Sequence, residues 1–454
     1  MASKNSLDLT TGSVVKKLLI FVYPIFITNL LQHLYNAADS VVVGQFSGKI
    51  ALAAVGATAI SVSLLTNLYI GFTAGGSIMF SNLLGAKKHY ELRKSMHTGI
   101  VISGIYGSIL TIFGIIIARP LLSLLNCPAN VINYSVRYLR IIACGLPGAM
   151  LYNMGAAILR THGDSKRPMI IMSVCGLINV LLNLLFVIAF RMSVAGVALA
   201  TIISNYTSAA WVLSILFNKK DLYKLDFKEL RIHKQELINI TKVGVPCSIN
   251  GVLFNISAMI VSSATNRFGA SVIAGNAAST TVTNLLNQII TAFFSGAMNI
   301  SGQCYGAQKF KRIDKVAVVG TGMCVAITSL IAVVMTIVPQ FFIGLFNPDP
   351  TVIEMGSKKL MLMSWGSVLY GMSDICLGCL RGMKKTAIPT AMNVFCICII
   401  RILWVMFIAP LNPDSFILLQ WCYPISYFLS SVLLIGYYLH CRKKYFVVSP
   451  LAAS

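Results

Sequence analysis

Charge is what this chain has least of. Asp, Glu, Lys and Arg make up 11% of its 454 residues, against about 25% in soluble domains, and only thirteen residues are acidic. That scarcity excludes an ordinary water-soluble globule. Short alternating strands are also missing, which excludes a β-barrel as the means of crossing a bilayer. No nucleophile stands beside a base, and no metal-binding helix signature or phosphate loop occurs, so nothing supports a membrane enzyme. Carbonyl-rich filter repeats and charged rings, the marks of a selective channel, are missing too. Cysteine is present, at twelve residues mostly inside apolar runs, and Cys376 and Cys379 imitate a metal or redox pair. No second pair or nearby His completes a tetrahedral site, so these read as small buried hydrophobes.

What the chain has in abundance is apolar surface. Hydrophobic residues make up 57%, and the mean hydropathy is +0.80. Spanning ~30 Å of hydrocarbon at ~1.5 Å per residue takes about 20 residues. Twelve runs reach that length: 16–43, 51–80, 96–118, 134–159, 168–190, 193–217, 238–266, 272–303, 316–338, 357–380, 388–410 and 415–440. The fold class expected is an all-α, multi-pass integral membrane protein. The first run is too long for the ~7–15 residue core of a signal peptide, and no small-residue cleavage pattern follows it.

A net charge of +23 suggests nucleic acid until its placement is read. With the N-terminus inside, 27 of the 36 basic residues fall in seven cytoplasmic segments. That asymmetry is the positive-inside rule, and it puts both termini in the cytoplasm. Charge spread over short loops makes no nucleic-acid face, so none is expected as a partner.

The chain repeats itself. LLGAKKHYELRKS at 83–95 resembles CYGAQKFKRIDKV at 304–316, and LRTHGDSKRP at 159–168 resembles LRGMKKTAIP at 380–389. Gly85 and Gly306, Arg160 and Arg381, and Pro168 and Pro389 are all 221 apart, while Pro24 and Pro246 are 222 apart. A duplicated six-helix unit follows. Because six is even, both copies enter the membrane the same way round, and two lobes related by an axis along the membrane normal are expected. The divisions read from this are an N-terminal lobe at 1–216, a cytoplasmic linker at 217–237 whose mixed charge suits an amphipathic helix, a C-terminal lobe at 238–440, and a cytoplasmic tail at 441–454.

Within the first span, TNLLQHLYNAADSVVVG carries a polar stripe at 28–44. Asn29, Gln32, Asn36 and Asp39 are spaced by three, four and three, so they share one helix face, with Tyr35 alongside. Lipid cannot satisfy them, so the face must look into protein or a water-filled cavity. The carboxylate is the costly member, at ~2.5–3.5 kcal/mol on the mildest scales. Only Asp39 and Asp374 of the acidic residues fall within spans. Such a group either stays protonated or holds a cation. Asn179 and Asn183 on the fifth span, four apart, and Thr201 on the sixth supply further hard oxygens, suited to Na⁺ or to a hydrogen-bonded proton. The same three residues would also serve simply to bond helices together. His33 lies off the Asp39 face and reads as an interior histidine. Arg137, Arg140 and Arg401 read as snorkelling groups or counter-charges. Pro24, Pro147 and Pro246 lie inside spans, where each frees a carbonyl and allows a bend. Pro24 and Pro246 are the hinge candidates.

The first-span segment PIFITNLLQHLYNAADSVVVGQFSGKIALAAVG, the GAKKHYELRK loop, the paired LRTHGDSKRP and LRGMKKTAIP loops and the duplication together resemble the multidrug and toxic compound extrusion (MATE) family, from about residue 14 to 440. The resemblance is nearest to its DNA-damage-inducible branch. It implies a cation site in the N-terminal lobe, formed by Asp39, Asn179, Asn183 and Thr201. Archaeal relatives have an Asp where this chain has Asn183, so the site here has one carboxylate fewer. A second branch of the family resembles a C-terminal-lobe site with a Glu on the seventh helix, where this chain offers Asn255, with Asp374 on the tenth span as a remnant. Gln32, Tyr35, Asn36, Asn255 and Asp374 are therefore the candidates for a substrate cavity.

What the resemblance implies is an antiporter, not an enzyme, that exports amphipathic and often cationic organic compounds across the plasma membrane by alternating access. No cofactor is expected beyond a bound Na⁺, held by Asp39, Asn179 and Asn183 if coupling is to sodium. The partners expected are the small organic substrate and membrane lipid, and the chain is expected to act as a monomer. A lipid-linked oligosaccharide flippase of the same superfamily is the alternative, which would call for extra helices and a basic central cavity. A passive channel would conduct without coupling.

Overall fold

The computed structural model describes residues 8–125, 127–218 and 224–448, with side chains as far as Lys444. Every regular element among them is helical. In chain order these are α1 (Val14–Phe46), α2 (Lys49–Gly85), α3 (His89–Leu124), α4 (Ile132–Cys144), α5 (Leu146–Thr161), α6 (Lys166–Leu184) and α7 (Ser193–Asn218), then α8 (Lys234–Thr265), α9 (Ala270–Gly306) and α10 (Phe310–Ile337). After the short α11 (Pro339–Gly344) come α12 (Pro350–Gly382), α13 (Ala387–Val394), α14 (Ile400–Leu403), α15 (Phe416–Gln420) and α16 (Cys422–Val448). Wide π-type turns prolong α6 over Leu185–Ala189 and link α13 to α14 over Phe395–Ile399.

Ten helical stretches are long and apolar enough to cross a membrane, and α4 with α5, bent by 41°, forms an eleventh. The remaining long helix, α9, is 37 residues long but diluted by Asn276, Thr280, Thr281, Asn284, Asn287 and Gln288. It carries the run 272–303 read from the sequence as the eighth span, and it has the length of a span without the apolar density of the others. The bend falls at Gly145, just before Pro147 removes a backbone donor.

Backbone conformation repeats along with the sequence. Left-handed φ angles recur at Gly48 (+83°) and Gly269 (+88°), at Lys87 (+57°) and Gln308 (+56°), and at Gly163 (+82°) and Lys384 (+59°), each pair 221 residues apart. Side chains differ at two of these three turns while the chain path does not, which is what a duplicated fold requires.

By compactness the chain does not divide at the linker alone. One unit holds Ile27–Val252, and the other holds Leu9–Phe26 together with the described residues from Leu253 onward. Thus the first half of α1 packs within the second unit and the first half of α8 within the first. Glycines explain the close fit: a Cβ on Gly75 of α2 would lie 2.7 Å from Gly244 Cα of α8, and a Cβ on Gly296 of α9 would lie 3.1 Å from Val22 of α1. Gly296 and Val22 are the repeat equivalents of Gly75 and Gly244. Pro24 stands three residues before α1 passes from one unit to the other, and Pro246 stands seven before the corresponding passage in α8.

The amphipathic helix expected in the linker does not form among its described residues. Apart from one tight turn at Phe227–Glu229, residues 224–233 have no regular structure. Their polar groups are tied instead to the start of α3. Asp226 N donates to His97 Nε2 at 2.9 Å, His233 N donates to Thr98 Oγ1 at 3.1 Å, and Arg93 pairs with Glu229 at 2.7 Å. Residues 219–223 of the linker, 1–7 of the N-terminal lobe and 449–454 of the tail lie outside the described residues.

Candidate cation-binding site

Within the first unit, α1, α6 and α7 bring four polar side chains together. Asp39 is 7% exposed, Asn179 6% and Asn183 0%. Asn183 Nδ2 donates to Asp39 Oδ1, across 144 residues of chain. It also lies 3.3 Å from Asn179 Oδ1, and Asn179 Nδ2 lies 3.3 Å from Thr201 Oγ1. Turning the Asn179 amide over satisfies the neighbours better, since its nitrogen then donates to Asp39 Oδ1 at 3.1 Å and its oxygen accepts from Thr201 Oγ1 at 3.3 Å. In both orientations hydrogen bonds link Asp39 to Thr201; with the amide unturned the Thr201 hydroxyl accepts from Asn179 and donates onward to Val197 O at 3.0 Å.

Local sequence explains the placement. Asn179 and Asn183 are one turn apart and therefore face the same way, and the π-type turn at Leu185–Ala189 follows directly. Such turns recur at functional sites. Gly176, one turn earlier on α6, admits the ring of Tyr35 so closely that a Cβ there would lie 1.7 Å from Tyr35 Cε2. Tyr35 OH donates to Ser173 O at 2.9 Å. These two contacts hold α1 against α6 one turn from Asp39.

The arrangement offers carboxylate, amide and hydroxyl oxygens, all hard donors. Asn183 Oδ1 is buried and has no hydrogen-bond donor among the described residues. An oxygen in that state beside a carboxylate suits a small cation.

The other candidates are elsewhere. Gln32 and Asn36 are exposed, so the stripe of α1 turns Asp39 inward and leaves these two uncovered. Asn255 on α8 and Asp374 on α12 belong to the second unit. Asp374 is buried, with the Tyr370 hydroxyl hydrogen-bonded to it and Arg381 near enough to act on its charge. Arg401 does not snorkel, being 0% exposed. The second unit has no copy of the four-residue set: at the repeat spacings, Val261, Ile400, Trp404 and Cys422 stand where Asp39, Asn179, Asn183 and Thr201 stand in the first. Val261 and Cys422 lie in an apolar cluster that Trp404 covers.

Sequence reasoning missed Tyr138 of α4, which lies within electrostatic reach of Asp39. Nothing in its own neighbourhood in the sequence marks it. Gly176 did leave a signal, as a glycine inside an apolar span one turn from an amide, where helices meet closely.

Comparison with known proteins follows the same duplication. The MatE family profile matches residues 24–185 and again 246–406. The chain is 27% identical over 442 residues to the probable multidrug resistance protein YoeA of Bacillus subtilis, covering 95% of each. It is 23% identical over 382 residues to the multidrug export protein MepA of Staphylococcus aureus (strain NCTC 8325), covering 84% of each. Among solved structures, it superposes with a TM-score of 0.91 and 18% identity on a MOP superfamily transporter from Pyrococcus furiosus, covering 98% of this chain and 99% of that one. An outward-facing multidrug resistance MATE transporter gives a TM-score of 0.88 at 19% identity over the same shares.

Proposed function

The chain belongs to the MatE family, and on that premise we propose that it is a cation-coupled antiporter exporting amphipathic, often cationic organic compounds. It is a multi-pass membrane transporter, and the relatives named as multidrug resistance and export proteins support small organic molecules as its substrates. The observation that carries the coupling is the buried, hydrogen-bonded cluster of Asp39, Asn179, Asn183 and Thr201 in the first unit. Na⁺ or H⁺ from outside neutralises Asp39, and the change is passed through Tyr35 and the α1–α6 contact to the Pro24 region of α1. Repacking of α1 then drives alternating access. A tenfold ion gradient supplies ~1.4 kcal/mol, and 100 mV adds ~2.3 kcal/mol per charge, enough to concentrate a substrate outward by large factors. The positive-inside loops support an orientation with both termini cytoplasmic, and action as an exporter calls for the plasma membrane. One chain contains the whole site, which supports action as a monomer.

The test is transport of a fluorescent cationic dye in proteoliposomes under separately imposed Na⁺ and pH gradients. Export driven by one of the two gradients supports the reading and names the ion. Dye flux indifferent to both gradients refutes it, and flux that only dissipates a dye gradient identifies a channel instead.

A further inference from the structure

The two units bury charge of opposite sign. Among the described residues, the buried Asp, Glu, Lys and Arg of the first unit are Asp39 and Glu236, whereas those of the second are Lys359, Arg381 and Arg401 against Asp374 alone. Lys359 Nζ donates to Asn276 Oδ1 at 2.5 Å and Thr280 Oγ1 at 2.8 Å, and Arg381, whose Nε and Nη2 make no hydrogen bond among the described residues, lies within electrostatic reach of the Asp374 carboxylate. No carboxylate acts on Arg401 among the described residues.

Its guanidinium is 0% exposed and enclosed by rings, with its central carbon 4.3 Å from the Tyr423 centroid, 4.9 Å from that of Tyr427 and 5.6 Å from that of Phe254. Nε donates to Ser426 Oγ at 2.9 Å. The Tyr427 side chain lies near enough to interact with the guanidinium, but neither Nη1 nor Nη2 makes a hydrogen bond of normal geometry among the described residues. Ring faces attract a cation but do not take up two in-plane N–H groups, and a guanidinium withdrawn from water needs both charge and hydrogen-bond compensation. A lysine would satisfy itself by rotation. The planar fork of arginine presents its two Nη groups side by side, the geometry that a single anion accepts from.

We propose that the second unit holds one monovalent anion on the paired Nη groups of Arg401, in the box formed by Phe254, Tyr423 and Tyr427. The shared chemistry is a compact acceptor of one negative charge, either an inorganic halide or the carboxylate of an exported compound. Bound there, it offsets the excess positive charge of the second unit, so that cation and anion sites lie in different halves of one duplicated fold.

The test is thermal melting of the purified full chain in detergent, with sodium chloride or sodium acetate titrated against sodium gluconate at constant ionic strength. Gluconate serves as the bulky reference. A saturable rise in melting temperature with chloride alone assigns the site to inorganic halide, with acetate alone to a carboxylate, and with both to the shared chemistry. Arg401→Gln should weaken the apparent anion affinity at least tenfold, and Arg401→Lys, which keeps the charge without the fork, should weaken it less. Should both variants fail to fold, iodide quenching of the wild type provides the second measurement, because Trp404 packs on the same cluster as Tyr423. Saturable quenching competed by chloride supports the site. Linear, uncompeted quenching overturns it, as does a melting response equal in all three salts or unchanged by Arg401→Gln. Asp39→Asn should leave the anion response intact, so failure of cation coupling and failure of the anion site can be told apart.

Discussion

Replacing Asp39 with Asn tests the coupling scheme most directly, because the substitution removes a charge and almost nothing else. Asn has the shape of Asp, and its oxygen can still accept from Asn183 Nδ2 as the carboxylate does. What disappears is the attraction for a bound cation. At ~4 Å and an effective dielectric of ~20, two unit charges attract by ~4 kcal/mol, which corresponds to about a 10³-fold loss of cation affinity. The side chain is buried, so the neutral variant also escapes the cost of holding an unpaired charge away from water, and its melting temperature should stay within a few degrees of the wild type. The assay is twofold: Na⁺-dependent and pH-dependent melting of the purified protein, and gradient-driven dye export in proteoliposomes. Loss of both responses in a folded variant is the expected result. Export that still follows an ion gradient within a few-fold of wild type would refute the role given to Asp39.

Thr201→Val removes the hydroxyl that anchors Asn179, and loss of one hydrogen bond worth ~1 kcal/mol should weaken cation-dependent melting about fivefold while leaving the fold intact; an unchanged cation response would detach α7 from the site. Gly176→Ala places a Cβ 1.7 Å from the Tyr35 ring, so overpacking should cost ~1–3 kcal/mol. Melting should show that loss, and adding Tyr35→Ala should recover part of it. Arg312 donates to Leu9 O at 3.1 Å, Gly12 O at 2.8 Å and Thr11 O at 2.7 Å, so Arg312→Ala should speed amide exchange over residues 9–13 by tenfold or more without altering exchange in α6. Equal exchange in both proteins would show that these bonds do not hold the N-terminal segment.

Much of this architecture was legible in the chain because a bilayer leaves few choices. Lipid enforces helices, helices need about 20 apolar residues, and loops keep their Lys and Arg inside. The spacing of 221 was equally plain, and the paired left-handed turns at Gly48 and Gly269 follow from it. Among its described residues the linker departs from the helix that its composition suits, with the backbone donors of Asp226 and His233 bonded to His97 and Thr98 of α3. No local pattern announces such a partner.

The candidate site divides the same way. Periodicity put Asp39 on the polar face of one helix and Asn179 with Asn183 on the same side of another, since the angle per residue is a property of the single helix. It treated Gln32 and Asn36 as their equals, and only packing turned Asp39 inward while leaving those two uncovered. Arg401 is the sharper case. In sequence it is a basic residue in an apolar run, free to be a snorkel or a counter-charge; its isolation among three aromatic rings depends on α8 and α16, 147 and 22 residues away at Phe254 and Tyr423. The sequence by itself determined that the chain is a duplicated set of apolar helices and what each helix face can offer. Which faces meet was decided by tertiary packing alone, because hydrogen bonds and charges act over a few ångströms in space, and chain position does not measure that distance.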